Sequence, residues 1–138
     1  MRELPRQLSK RELEELFSGP STLVSLLAKT EDPLGQAEEV AGGLSEEDKI
    51  EALAGHPRIG EPSPEQHGGN PAVLTELAYL NQVYEEKFGF RFVIFVAGRP
   101  REQILEVLRE RIANTREEEL ETGIRELVAI AQDRWRSR

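Results

Sequence analysis

The sequence predicts an all-α, single-domain helical bundle spanning residues 1–138, and three observations carry the prediction. Apolar residues recur at helical spacing in most segments, and helix start and stop signals punctuate the chain at short intervals. Only one run, residues 90–97 (FRFVIFVA), has the aromatic and β-branched composition of a strand. A lone strand leaves its backbone groups without partners, so this run is expected to be a buried extended or partly helical connector. At 138 residues the chain can bury a core without disulfides or structural metal.

The elements follow in order. Ser9-Lys10-Arg11-Glu12 has the form of a capping box, and Leu13, Leu16 and Phe17 follow at helical spacing, so a first helix is expected up to the break at Gly19-Pro20. Leu23, Val24, Leu26 and Leu27 make a short apolar segment before a turn at Glu31-Asp32-Pro33. Pro33 suits the first turn of a helix carrying Leu34, Ala37 and Val40, ended by Gly42-Gly43. Ser45 reads as an N-cap followed by three acids, where the helix dipole favours them; Ile50, Leu53 and Ala54 form the buried stripe and Gly55 stands at the C-terminal cap. Residues 55–69 (GHPRIGEPSPEQHGG) are too rich in Gly and Pro for regular structure. Asn70-Pro71 then opens a long helix through Leu77, Asn81, Tyr84 and Phe88, stopped by Gly89. After the apolar connector, Ile104, Leu105, Leu108 and Ile112 mark a helix closed by Asn114. A second capping box, Thr115-Arg116-Glu117-Glu118, opens the last helix, through Leu120, Ile124, Leu127, Ala131 and Trp135. Gly123 interrupts that helix at a cost of about 1 kcal/mol relative to Ala.

Composition removes several function classes. The chain has no cysteine, which excludes a disulfide scaffold, thiolate zinc sites and a Cys nucleophile. Its 26 acids against 18 Lys plus Arg leave a formal charge of −8, which argues against nucleic acid as a partner. No apolar run is long enough to span a bilayer and the N-terminus lacks the apolar core of a secretion signal, so a soluble, cytoplasmic protein without a membrane partner is expected.

Both histidines lie in the 55–69 loop. His56 follows a helix end, where the dipole favours its protonated form, and precedes Pro57, which restricts its backbone. Glu65, nine residues on, is a candidate to share a cavity with it, giving a minimal proton-transfer pair. Against that stands a plainer reading: His56 as a surface or capping residue, Glu65 and Gln66 as solvated loop groups, and His67 as exposed. A metal site from His56, His67, Glu61 and Glu65 matches no known ligand spacing, so no metal is assigned. Asn81, on an apolar stripe, reads as a buried amide bonding a neighbouring helix. Arg134, near the apolar edge of the last helix, is either a snorkelling surface residue or an anion-binding one.

In order, His56-Pro57-Arg58-Ile59-Gly60, Glu65-Gln66, Leu80-Asn81-x-x-Tyr84-x-x-Lys87-Phe88-Gly89-Phe90-x-Phe92-Val93, then Ile104-Leu105, Leu108, Arg111, Asn114, Glu119-Leu120 and Arg134-Trp135 resemble one family over nearly the whole chain. That family is the 2-oxo-4-hydroxy-4-carboxy-5-ureidoimidazoline (OHCU) decarboxylases of urate catabolism. The resemblance implies an all-α, cofactor-free bundle, commonly a homodimer, that releases (S)-allantoin and carbon dioxide and is coupled functionally to a hydroxyisourate hydrolase. It implies His56 and Glu65 as catalytic residues. Pro57, Ser63, Gln66, Phe92, Val93, Ile94, Phe95, Val96 and Arg134 match substrate-contacting positions. The segment joining His56 to Glu65 is shorter than in many relatives. The rival readings are an acidic helical interaction module, and a metal-dependent hydrolase using His56, His67 and Glu65.

Overall fold

Helices begin in this chain where a side-chain oxygen can accept the first unpaired amides. Ser9 Oγ accepts from Glu12 N at 3.1 Å while Glu12 returns a carboxylate to Ser9 N at 3.0 Å, the reciprocal pair expected of the capping box. Ser21, Asp32, Ser45 and Thr115 accept from the third residue onward in the same way, and Thr115 completes a second reciprocal box with Glu118. Each such cap contributes about 1 kcal/mol. A computed structural model describes residues 7–57 and 71–137. Among them are seven helices: α1 (Lys10–Leu16), α2 (Thr22–Leu27), α3 (Pro33–Gly42), α4 (Glu46–Ala54), α5 (Pro71–Phe88), α6 (Arg101–Ile112) and α7 (Arg116–Arg136). The described residues contain no strand, and no helix among them is long and apolar enough to cross a membrane.

The last helix organises the rest. α7 packs against α1, α3 and α4, and α2 fills the space between α1, α3 and α4. Leu13, Leu23, Leu27, Leu34, Leu53 and Leu127 are all buried in this half. Gly123 is part of the packing: a Cβ there would stand 3.3 Å from both terminal methyls of Leu53, so the missing side chain lets α4 approach α7. α5 pairs with α6 in the other half. Asn114 does not cap α6; Ala113 does, and the Asn114 side chain turns instead to Glu119, donating at 2.8 Å.

Residues 91–96 of the apolar connector form neither helix nor strand, and side chains bond four of their backbone groups. Arg111 Nη1 donates to Val93 O at 2.8 Å, Glu126 accepts from Phe95 N at 3.3 Å, and Arg99 donates to Phe95 O at 2.6 Å and Val96 O at 3.1 Å. Phe90 and Phe92 join Tyr84 and Phe88 in an aromatic cluster with ring centroids 4.6 to 6.0 Å apart. Ala97 and Gly98 both take positive φ, 52° and 76°, and Arg99 N returns to Val96 O at 3.0 Å, turning the chain into α6.

Candidate active site

α4 ends at the Gly55 cap, and His56 N bonds Leu53 O at 3.1 Å, which fixes the histidine one residue past the helix. Arg91 Nη1 donates to Ala54 O at 2.9 Å and to His56 O at 2.7 Å, so a side-chain cation closes the exposed carbonyl end. The imidazole is only 6% exposed. Its Nδ1 lies 3.1 Å from Pro57 O. A carbonyl can only accept, so Nδ1 carries a proton, and Nε2 is left as the atom that gains or releases one.

That ring lines a cavity of about 570 Å³. The second half of the connector, from Ile94 to Gly98, forms one wall, and α7 supplies Ile130, Asp133 and Arg134. Arg134 is anchored from behind: its Nη1 donates to Leu16 O at 3.0 Å and to Ser18 Oγ at 2.7 Å, both at the end of α1. An imidazole, a guanidinium and an aspartate thus border one largely apolar space, a constellation able to bind a small anion and move a proton.

The sequence-derived residues divide into four groups. His56, Ile94, Phe95, Val96 and Arg134 share the cavity. Phe92 and Val93 do not line it: both are buried in the core, Phe92 beneath the Arg111 guanidinium with 4.5 Å from cation to ring centroid. Pro57 contributes through its carbonyl to the histidine. Ser63, Glu65 and Gln66 lie outside the described residues, as do Glu61 and His67, so the pairing of Glu65 with His56 and the metal alternative both fall there. Among the described residues no group of three or more His, Cys, Asp or Glu is placed to hold a metal ion.

Asp133, Ala97, Gly98 and Ile130 border the cavity without having been singled out, and Arg91 and Ser18 hold its charged groups from outside. Arg91 had one visible signal, a cation inside an aromatic run. Behind the connector sits a closed polar cluster that sequence reasoning also missed. Glu119, fully buried, accepts from Tyr84 OH and Arg111 Nε at 2.7 Å each and from Asn114 at 2.8 Å. Burial, reinforced by the bond to Glu119, pushes the Tyr84 phenol well above its ordinary range.

The sequence model of the OHCU decarboxylase family matches residues 2–136. A uric acid degradation bifunctional protein of Bacillus sp. (strain TB-90) is 29% identical over 108 residues, 70% of this chain and 22% of that protein. The Arabidopsis thaliana uric acid degradation bifunctional protein TTL is 34% identical over 102 residues, 62% of this chain and 32% of that protein. The chain therefore spans between about a fifth and a third of these two relatives. A crystal structure of OHCU decarboxylase in the presence of (S)-allantoin superposes with a TM-score of 0.79 at 28% identity, covering 89% of this chain and 94% of the other.

Proposed function

Because this chain belongs to the OHCU decarboxylase family, we propose that it decarboxylates 2-oxo-4-hydroxy-4-carboxy-5-ureidoimidazoline in urate degradation, giving (S)-allantoin and carbon dioxide. One observation carries the reading on the side of this chain's own geometry. A buried imidazole, its Nδ1 tied to Pro57 O, and an anchored arginine border a single 570 Å³ cavity. The same observation weighs against a pure interaction module, for which His56 would be exposed with no cavity beside it.

In this reading Arg134 holds the substrate's carboxylate or ring carbonyl, and Glu65 engages the hydroxyl. When the bond to the carboxylate carbon breaks, its electron pair passes into the conjugated C=N of the substrate itself, so the substrate serves as its own electron sink. The resulting enol takes one proton at the neighbouring ring carbon. His56 delivers it from Nε2, on one face, while the hydroxyl becomes the ring carbonyl and its proton passes to the ring nitrogen that received the electron pair, so that one proton is gained in all. Control of that face is the enzyme's contribution, since the intermediate also decays unaided to a racemate.

The test is to generate the intermediate from urate with an oxidase and a hydroxyisourate hydrolase, add this protein, and follow circular dichroism. Rapid appearance of optically active allantoin is expected; a racemate forming at the unassisted rate sinks the proposal. The instability of the intermediate also motivates coupling to the hydrolase, read as faster turnover when both are mixed than when they act in sequence. We carry the homodimer as part of the same reading, checked by light scattering at micromolar concentration. Activity that persists in a strong chelator removes the metal-dependent hydrolase.

A further inference from the structure

We infer that the turn between α1 and α2 belongs to the machinery of the cavity, with Ser18 as the positioning residue that aims the Arg134 guanidinium. The inference rests on the reading of Arg134 as the group that holds the substrate anion. Arg134 Nη1 donates to Ser18 Oγ at 2.7 Å and to Leu16 O at 3.0 Å, across 116 and 118 residues of chain. Two acceptors on one nitrogen fix the plane of a planar cation, and with it the line along which the rest of the fork meets an anion.

The backbone of Ser18 gives a second reason to look here. Its φ is 65°, in the left-handed region that favours glycine, and the next residue is Gly19 at φ 133°. Glycine at position 18 would adopt this backbone without strain, so what the serine adds is its hydroxyl, and the hydroxyl is bonded to Arg134. The same turn presses on the other charged element of the site. A Cβ on Gly55 would stand 3.1 Å from Ser18 O, and Gly55 immediately precedes His56. A single turn is thus packed against the segment that carries the imidazole and bonded to the side chain that carries the guanidinium.

The test is a comparison of Ser18→Gly, Ser18→Asn and Arg134→Ala in steady-state kinetics on freshly generated intermediate, with the melting temperature measured for each. Ser18→Gly removes the hydroxyl and relieves the backbone, so its Tm is expected to hold or rise. Its KM is expected to rise about tenfold, the size of one charge-assisted hydrogen bond, with kcat less affected. Ser18→Asn tolerates the left-handed backbone and keeps an acceptor oxygen, and should recover most of the KM. A parental KM in Ser18→Gly, a KM loss that merely follows a lowered Tm, or no recovery with Asn overturns the inference. If Arg134→Ala raises KM while Ser18→Gly does not, the inference fails alone; if Arg134→Ala leaves KM unchanged, the reading of Arg134 fails and takes the inference with it.

Discussion

The connector of residues 90–97 has two faces, each with an arginine and a carboxylate, and they serve opposite ends. On the first half, Arg111 and Glu119 are closed into a cluster with Tyr84, Asn114 and Val93 O, which leaves only Nη2 of the guanidinium buried without a bond. On the second half, His56, Asp133 and Arg134 border open volume, with the imidazole and the guanidinium braced from behind by backbone carbonyls and Ser18. Burial of polar side chains is common to both, since Arg111 and His56 are each 6% exposed. What separates them is what they border: the closed cluster holds the connector's backbone through Val93 O, and the second group lines space that a ligand can fill.

The comparison predicts that the two faces fail differently. The largest effect is expected from His56→Gln: loss of roughly 10² to 10⁴ in the enantioselective rate, the range for one proton-transfer group, with urea unfolding nearly unchanged. A variant that retains parental activity would remove the distinction, because the open face would then be as structural as the closed one.

Arg111→Leu should do the reverse, costing about 3 to 5 kcal/mol of folding stability by leaving Glu119 buried without its cation. That is a large share of the ~5–15 kcal/mol typical of a domain, so denaturant midpoints will read it clearly. The double variant Arg111→Met with Glu119→Leu should recover much of that stability but not the activity, since Val93 O loses its donor and the connector its fixed position. Full activity in the double variant would mean that the connector holds its course without the cluster.

These two faces also mark the boundary of what the sequence could disclose. Both capping boxes, Ser45, Pro33 and the stop at Gly89 (φ 80°) were readable because each is a local rule, settled within four residues. The orphan run at 90–97 was readable as a connector because a strand needs a partner. Its actual partners were not, since Arg111, Glu126 and Arg99 reach it through side-chain geometry that no spacing rule encodes. The same holds for Tyr84 with Glu119, 35 residues apart, and for Arg134 with Ser18, 116 apart. Of the proposed site, His56 and Arg134 were legible through the family pattern, whereas Asp133 and Ser18 have only their place in the fold to mark them.

Gly123 is an intermediate case, because sequence reasoning registers only its helix penalty. Gly123→Ala would regain about 1 kcal/mol of helix propensity but pushes a methyl against Leu53, and overpacking a buried site costs about 1 to 3 kcal/mol. Leu53 is fully buried, so a net loss of about 1 kcal/mol in urea unfolding is expected. A gain would show that α4 and α7 have room to separate, and with them His56 and Arg134.

Tyr84→Phe makes the smallest change and the most specific one to the closed face. Glu119 keeps Arg111 and Asn114, so near neutral pH the loss should be about 1 kcal/mol, the net worth of one hydrogen bond. Burial and the bond to Glu119 raise the folded phenol's pKa above its ordinary value of 10.0. A raised pKa stabilises the fold fully below the unfolded value and progressively less above it, because only the unfolded chain then releases the proton. The parent should therefore lose up to about 1.4 kcal/mol per pH unit above pH 10 relative to the Phe variant, in which that proton is absent. Every other ionisable group is common to the two proteins and cancels in the difference. Urea unfolding at pH 7, 10 and 11 should show the gap closing near pH 11; a gap constant with pH would mean that the phenol ionises as easily folded as unfolded, and that the cluster behind the connector is open to water after all.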